Sequence, residues 1–136
     1  MLHIIRRVSS FHLSLLLLSL LSCQAIALDN DTEQPLNIVS KEQIADFNSN
    51  KAIFLENVVA TQGTIEVHSD KAEITRDSND QLEEIVAYGK PATYKQLQEN
   101  GKIIHSQSSI IHYLPKKNLL ILIGRATIWQ ENSHVD

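Results

Sequence analysis

Cysteine is almost missing from this sequence of 136 residues: Cys23 is the only one. Aromatic residues make up 5% of the chain, with one Trp, and there are 4 Gly and 3 Pro. A lone thiol excludes an internal disulfide and a multi-thiolate metal site. Basic residues are not in excess, since 12 Lys+Arg stand against 16 Asp+Glu for a formal net charge of −4. The charges are mixed along the chain and form no basic stripe, which argues against a nucleic-acid partner. After residue 27 no apolar run approaches the roughly 20 residues that a membrane-spanning helix needs.

The one long apolar run lies at the start. Arg6 and Arg7 make a basic lead, and "LSLLLLSLL" (13–21) an apolar stretch too short to span a bilayer of about 30 Å. "AIA" (25–27) then has the small-x-small form of a cleavage site. Residues 1–27 therefore read as a secretory signal peptide, with a mature chain from Leu28 that lacks the thiol. "LLSC" (20–23) has the outline of an acylation box, but Leu21 is bulky where that box wants a small residue. Arg6-Arg7 has the outline of twin-Arg export, but the Leu-rich core suits the general route. Removing the segment takes away two cations and no acid, moving the net charge from −4 to −6. Residues 28–136 suffice for one domain with a modest core.

That domain is written in strands. In "NVVATQGTIEVHSDKAEIT" (57–75), Ile65, Val67, Ala72 and Ile74 alternate with Glu66, His68, Lys71, Glu73 and Thr75. This is the period of a strand with one dry face. "LNIVS" (36–40), "KAIFLENVVATQ" (51–62), "QLEEIVAYG" (81–89), "ATYKQLQ" (92–98), "SSIIHYL" (108–114), "LLILIG" (119–124) and "ATIWQ" (126–130) read likewise. "KEQIADFN" (41–48) fits a strand or a turn of helix, because Ile44 and Phe47 are three apart. Breaks fall at Gly63, at Ser69-Asp70, at "RDSND" (76–80), around Gly89 and Pro91, at the hairpin signal Asn100-Gly101, and at "PKKN" (115–118). The count is about ten short strands, an all-β sandwich or roll.

The chain also echoes itself. "NKAIFLENVVATQ" (50–62) aligns without a gap on "NLLILIGRATIWQ" (118–130), and an apolar-x-Ser motif recurs at 38–40, 67–69 and 104–106. Stacked similar strands bury a continuous apolar strip and leave an open strand edge at each end, ready to recruit another strand.

"NVVATQGTIEVHSDKAEITR" (57–76) and "YGKPATYKQLQENGK" (88–102), with "DTEQPLNIVS" (31–40) and "IIHYL" (110–114), resemble a known family. These are the OstA-like A components of the lipopolysaccharide-transport (Lpt) machine of Gram-negative bacteria. The likeness runs from the signal to Gln130. It implies a periplasmic β-jellyroll of antiparallel strands in two stacked sheets, holding the lipid A acyl chains of lipopolysaccharide between them. It also implies head-to-tail homo-oligomers bridging the periplasm, with the Lpt C component at the N-terminal edge and the Lpt D component at the C-terminal edge. Glu56-Asn57 and Gly124-Arg125 stand where the family has Gly-Asn. The family pattern runs on past Gln130 into further strands, whereas here "ENSHVD" follows. The expectation is thus of a domain without the family's C-terminal strands, stacking poorly on itself and reaching the D component weakly.

An acyl chain needs a dry trough, and the inward residues of two sheets supply one. By alternation the lining candidates are Ile38, Phe54, Ile65, Val67, Ile74, Tyr94, Ile111 and Leu119; the resemblance adds Thr32 and Leu36 and again points to Tyr94. Each of these side chains would serve equally as plain core. Leu36, Asn37, Ile38, Val39 and Ser40 form the candidate partner edge. Enzyme chemistry has little support. His68, His105, His112 and His134 have no short ligand spacing for a metal, and His105 beside Ser106, Ser108 and Ser109 lacks a nucleophile elbow. No cofactor is expected. Three classes remain: a lipid-carrying bridge, a strand-pairing adaptor without lipid, and a secreted enzyme, which the missing catalytic constellation disfavours. N-terminal sequencing of the exported protein checks the signal reading: a start at Leu28 is expected, and an acylated Cys23 start overturns it.

Overall fold

The computed structural model describes residues 31–132. The expected signal peptide, and His134, lie outside the described residues. A short 3-10 helix (Asp31–Glu33) leads into eight strands: β1 (Leu36–Val39), β2 (Glu42–Asp46), β3 (Lys51–Gln62), β4 (Ile65–Arg76), β5 (Leu82–Leu97), β6 (Lys102–Leu114), β7 (Leu119–Ile123) and β8 (Thr127–Asn132). A second 3-10 turn (Pro115–Lys117) joins β6 to β7. All pairings are antiparallel.

Eight strands replace the ten expected because several breaks in the sequence are bulges rather than turns. Ser69-Asp70 sits inside β4, and the Gly89–Pro91 corner, with a cis Lys90-Pro91 peptide, inside β5. The register shifts between Leu55 and Val58, between His68 and Lys71, and between Tyr88 and Ala92. A bulge adds an unpaired residue, bends its strand and sharpens the twist. Here the bulges lie side by side, so the whole sheet folds along one corner. Residues 41–48, ambiguous in the sequence, form β2 followed by a turn.

Two arms result, and the sheet forks at both ends. One arm runs β2–β3–β4–β5–β6–β7 and the other β1–β3–β4–β5–β6–β8, each long strand serving both. The two stacked sheets of the expectation are therefore two arms of one continuous sheet. Cross-strand neighbours share a face. The inner row of the β2 arm is Gln43, Phe54, Ala72, Ala87, Ile111 and Leu122. That of the β1 arm is Ile38, Ala60, Val67, Tyr94, Ser106 and Ile128. The middle of both rows is buried, in one core cluster with Val58, Ile65, Ile74, Ile85, Ala92 and Tyr113.

The sequence echo is a structural repeat. Asn50 and Asn118 share a left-handed φ (55° and 51°), as do Glu56-Asn57 (66°, 52°) and Gly124-Arg125 (88°, 50°). The Lys41 N–H donates to the Glu56 carbonyl (3.1 Å) just as the Ser109 N–H donates to that of Gly124 (2.9 Å). Leu36 faces Gln62 as Ile104 faces Gln130. β1 and β2 with β3, and β6 with β7 and β8, are the same bent hairpin used twice.

Asn100-Gly101 closes β5–β6 as expected, in a three-residue loop with Gly101 at φ +79° and a Gln98 N–H donating to the Lys102 carbonyl (2.8 Å). One inward assignment is corrected. Leu119 is 44% exposed and points outward; Leu120, opposite Tyr113, and Leu122, opposite Ile111, pack on the core instead. The Asn118 turn sets this parity, and a continuous "LLILI" carries no alternation from which to read it. Ile111→Ala should cost about 3 kcal/mol, as a large-to-small change at a fully buried site. Leu119→Ala should cost under about 1 kcal/mol. Urea unfolding of both variants checks this parity.

Candidate functional site

The arms diverge from the corner, and their free ends form a mouth. On the β1 arm the mouth is bounded by the two-residue β3–β4 turn, Gly63 and Thr64. On the other it is bounded by the 77–81 loop and the Pro115–Lys117 turn. The segment 31–35 lies between them as a strap. A cavity of about 520 Å³ is left between strap residues such as Thr32 and Pro35 and the opposite lip, where Arg76, Leu82 and Lys116 stand. Lys116 is ion-paired with Asp77.

The strap is held by polar atoms. The buried Asp31 carboxylate accepts from the Thr64 N–H (2.8 Å), the Thr64 hydroxyl (2.7 Å) and the Gln96 side-chain amide (3.0 Å). Gly63 must be glycine for two reasons: its φ is +60°, and a Cβ there would lie 2.3 Å from Asp31 Oδ1. Gln62, 5% exposed, is the second anchor. Its Nε2 donates to the carbonyls of Thr32 (3.3 Å) and Gln34 (3.1 Å), and its Oε1 accepts from the Tyr113 hydroxyl (3.0 Å). Gln62 belongs to the β1 arm and Tyr113 to the β2 arm, so this bond ties the arms together. Tyr94 stacks obliquely on Tyr113, with ring centroids 6.1 Å apart, and its hydroxyl donates to Gln96 Oε1 (2.8 Å).

Burial holds both phenols in their neutral, donating form. It pushes Tyr113 up to about 12, helped by the negative field of Asp31. Tyr94 moves further in the same direction, through burial first and then Tyr113 and Asp31.

Most of the sequence-derived lining candidates converge. Ile65, Val67, Ile74, Tyr94 and Ile111 are buried on the inner faces, and Leu36, Ile38 and Phe54 pack half-buried at the edge of the same cluster. Thr32 is exposed on the strap, where its carbonyl rather than its side chain engages Gln62. Leu119 is not among them. Ala72, read as part of the dry face in 57–75, is buried there; the sequence reading missed Ala60, Ala87 and Ala92, which keep the inner faces low, and Gln62 and Tyr113 at the mouth. Extending the alternation from Val58 through Ala60, and from Ile111, would have found the last two. Of the candidate edge 36–40, β1 is an outermost strand among the described residues, paired there with β3, and Ser40 falls just beyond it.

The outer faces carry histidine–carboxylate contacts at hydrogen-bonding distance. His68 meets Glu66 (2.5 Å), His105 meets Glu131 (2.8 Å) and His112 meets Glu84 (2.7 Å); His105 also stacks on Trp129 with centroids 5.1 Å apart. Alternation sends His105 outward and Ser106 inward, where the Ser106 hydroxyl is buried without a partner. Among the described residues no group of three His, Cys, Asp or Glu is gathered as metal ligands. Nor is any helix there long and apolar enough to cross a membrane.

Residues 37–136, all but the strap side of this architecture, match the family described as LptA/(LptD N-terminal domain) LPS transport protein. The chain belongs to that family. It is 40% identical over 115 residues to the lipopolysaccharide export system protein LptA of Escherichia coli K12, covering 84% of this chain and 62% of that protein. It is 35% identical over 131 residues to LptA of Haemophilus influenzae, covering 95% of this chain and 76% of that one. Among solved structures it is similar to LptH of Pseudomonas aeruginosa, described as the LptA-homologous periplasmic component of the lipopolysaccharide transport device. There the TM-score is 0.70 at 27% identity, covering 75% of this chain and 71% of that one. The family is thus the OstA-like one expected, and the chain spans 62% of the length of the Escherichia coli relative.

Alkaline titration tests the mouth. A phenol whose folded pKa is about 12, against an ordinary 10, adds nothing to the pH dependence of stability below 10. Between pH 10 and 12 the unfolded chain ionises first, so stability should fall as pH rises. Urea unfolding at pH 9 and pH 11 should show this fall, and Tyr113→Phe should reduce it.

Proposed function

We propose that this chain takes part in lipopolysaccharide transport in the periplasm, as a carrier without catalytic chemistry that holds lipid A acyl chains between its two arms. The observation that carries this reading is the inner face. Its buried middle is apolar but for serines such as Ser106, and is built from small residues such as Ala60, Ala72 and Ala87. Each methylene moved from water onto such a face contributes about 0.8 kcal/mol, and a face that reaches both edges lets a chain pass on to a neighbour. On this reading Ile38, Phe54, Ile65, Val67, Ile74, Tyr94 and Ile111 line the path, and Leu36 and Thr32 lie at its mouth. Leu119, which points outward, is left out.

The open edges support the partner part of this reading. Among the described residues β1 pairs on one side only, which would leave the other for the Lpt C component, and β7 with β8 would offer the other end to the Lpt D component or to a second copy. Membership of an LPS transport family supports the same reading.

The adaptor reading, without lipid, draws on a different fact. The inner residues are already buried against each other, so acyl chains have to part the arms. A photo-crosslinking amino acid separates the two readings. Tyr94 faces inward and its neighbour Lys95 is exposed on the outer face. In living cells a crosslinker at Tyr94 should capture lipopolysaccharide and one at Lys95 should not; capture at neither favours the adaptor.

A further inference from the structure

The strap is fastened in an unusual way for a segment that closes an apolar interior. Its side chains at Thr32, Glu33, Gln34 and Pro35 are exposed, and none of them fills the space between the arms. What it presents to the mouth is backbone: the carbonyls of Thr32 and Gln34, both on the amide of Gln62. Gln62 is the polar residue at the boundary, with Ala60 inward of it on β3 and Ile65 buried across the turn.

A chain bound by its acyl groups has carbonyls at the same boundary. Amide- or ester-linked acyl chains lie in the apolar interior, and the linking C=O sits where the chain leaves it for the polar head. An amide-linked carbonyl has the hydrogen-bonding character of a peptide carbonyl, and an ester carbonyl accepts in the same way, more weakly. We infer that residues 31–35 are an internal stand-in for the carbonyl-bearing neck of an acylated amphiphile, and that Gln62 exchanges one for the other. The inference rests on the lipid-carrying reading and adds to it the group that recognises the acyl linkage.

The physical argument is one of satisfied donors. A buried amide left without an acceptor is costly, so Gln62 opposes release of the strap into an empty mouth. It does not oppose release when an incoming carbonyl takes over its N–H groups, and the exchange is then nearly even. Asp31 has a different part. Its partners are Thr64 and Gln96, which also accept from the Leu97 N–H and the Tyr94 hydroxyl and make no bond to Gln62, and Thr64 is exposed enough to turn to water when Asp31 leaves. The cavity of about 520 Å³ beside the strap gives the head room while the exchange takes place.

Asp31 and Gln62 should therefore act with opposite signs. Purified lipid A is the probe, with binding followed by fluorescence. Asp31→Ala, which removes an anchor of the strap and leaves the Gln62 donor in place, should bind lipid A several-fold more tightly than the parent protein. Gln62→Leu, which removes the donor, should bind it about tenfold more weakly. Amide hydrogen exchange on the unmodified protein gives a reading free of folding effects: saturation with lipid A should strip protection from residues 31–36 while β3–β6 keep theirs. Both variants moving in one direction, or strap protection unchanged or increased by lipid A, would overturn the inference and leave the lipid-carrying reading standing. An unmodified protein that does not bind lipid A at all sinks both.

Discussion

The alignment of the bulges is the constraint on which the rest of the structure depends. Four long strands each change register at about the same height, so a single sheet bends along one line and turns one of its faces onto itself. Without that line the sheet would be flat, with an apolar face open to water. With it, the two halves of every long strand serve opposite walls, and the same alternation that dries one wall dries the other. Backbone angles available to few residues support the corner: Glu56, Asn57, Gly124 and Arg125 all have positive φ.

The mouth is the counterpart of the corner. At the corner the arms are joined by covalent chain, whereas at the mouth they are joined by side chains: Gln62 with Tyr113, and the tilted pair of Tyr94 and Tyr113. A covalent hinge opposite a hydrogen-bonded closure is the arrangement of a clasp. The strap adds a layer to the closure that is polar except for Pro35.

Much of this was legible in the sequence, and the illegible parts have physical causes. Alternation in 57–75 marks Ile65, Val67 and Ile74 as inward, because period-2 patterning is local and can be read separately on each side of the Ser69-Asp70 bulge, where the inward set moves from odd to even positions. The same bulges made one strand look like two, since Ser-Asp and Gly-x-Pro mark turns and bulges alike. Leu119 was misjudged because five consecutive apolar residues encode no face. The Asp31 clamp was invisible because its partners, Thr64 and Gln96, lie far along the chain. The repeat was readable as words, but its meaning, one bent hairpin used at both edges, needed the φ values and the register.

The forked edges have a consequence for what can join them. Each edge offers two short strands set at an angle, separated by Ser40-Lys41 on one side and by Gly124-Arg125-Ala126 on the other. A straight strand laid along such an edge can pair with one arm and must leave the second unmatched, losing about half of the main-chain bonds on offer. A strand that carries its own kink at the matching height pairs with both. The fold therefore works as a keyed joint, selecting partners by where they bend, and the same key defends its open edges against the flat, straight strands from which aggregates are built.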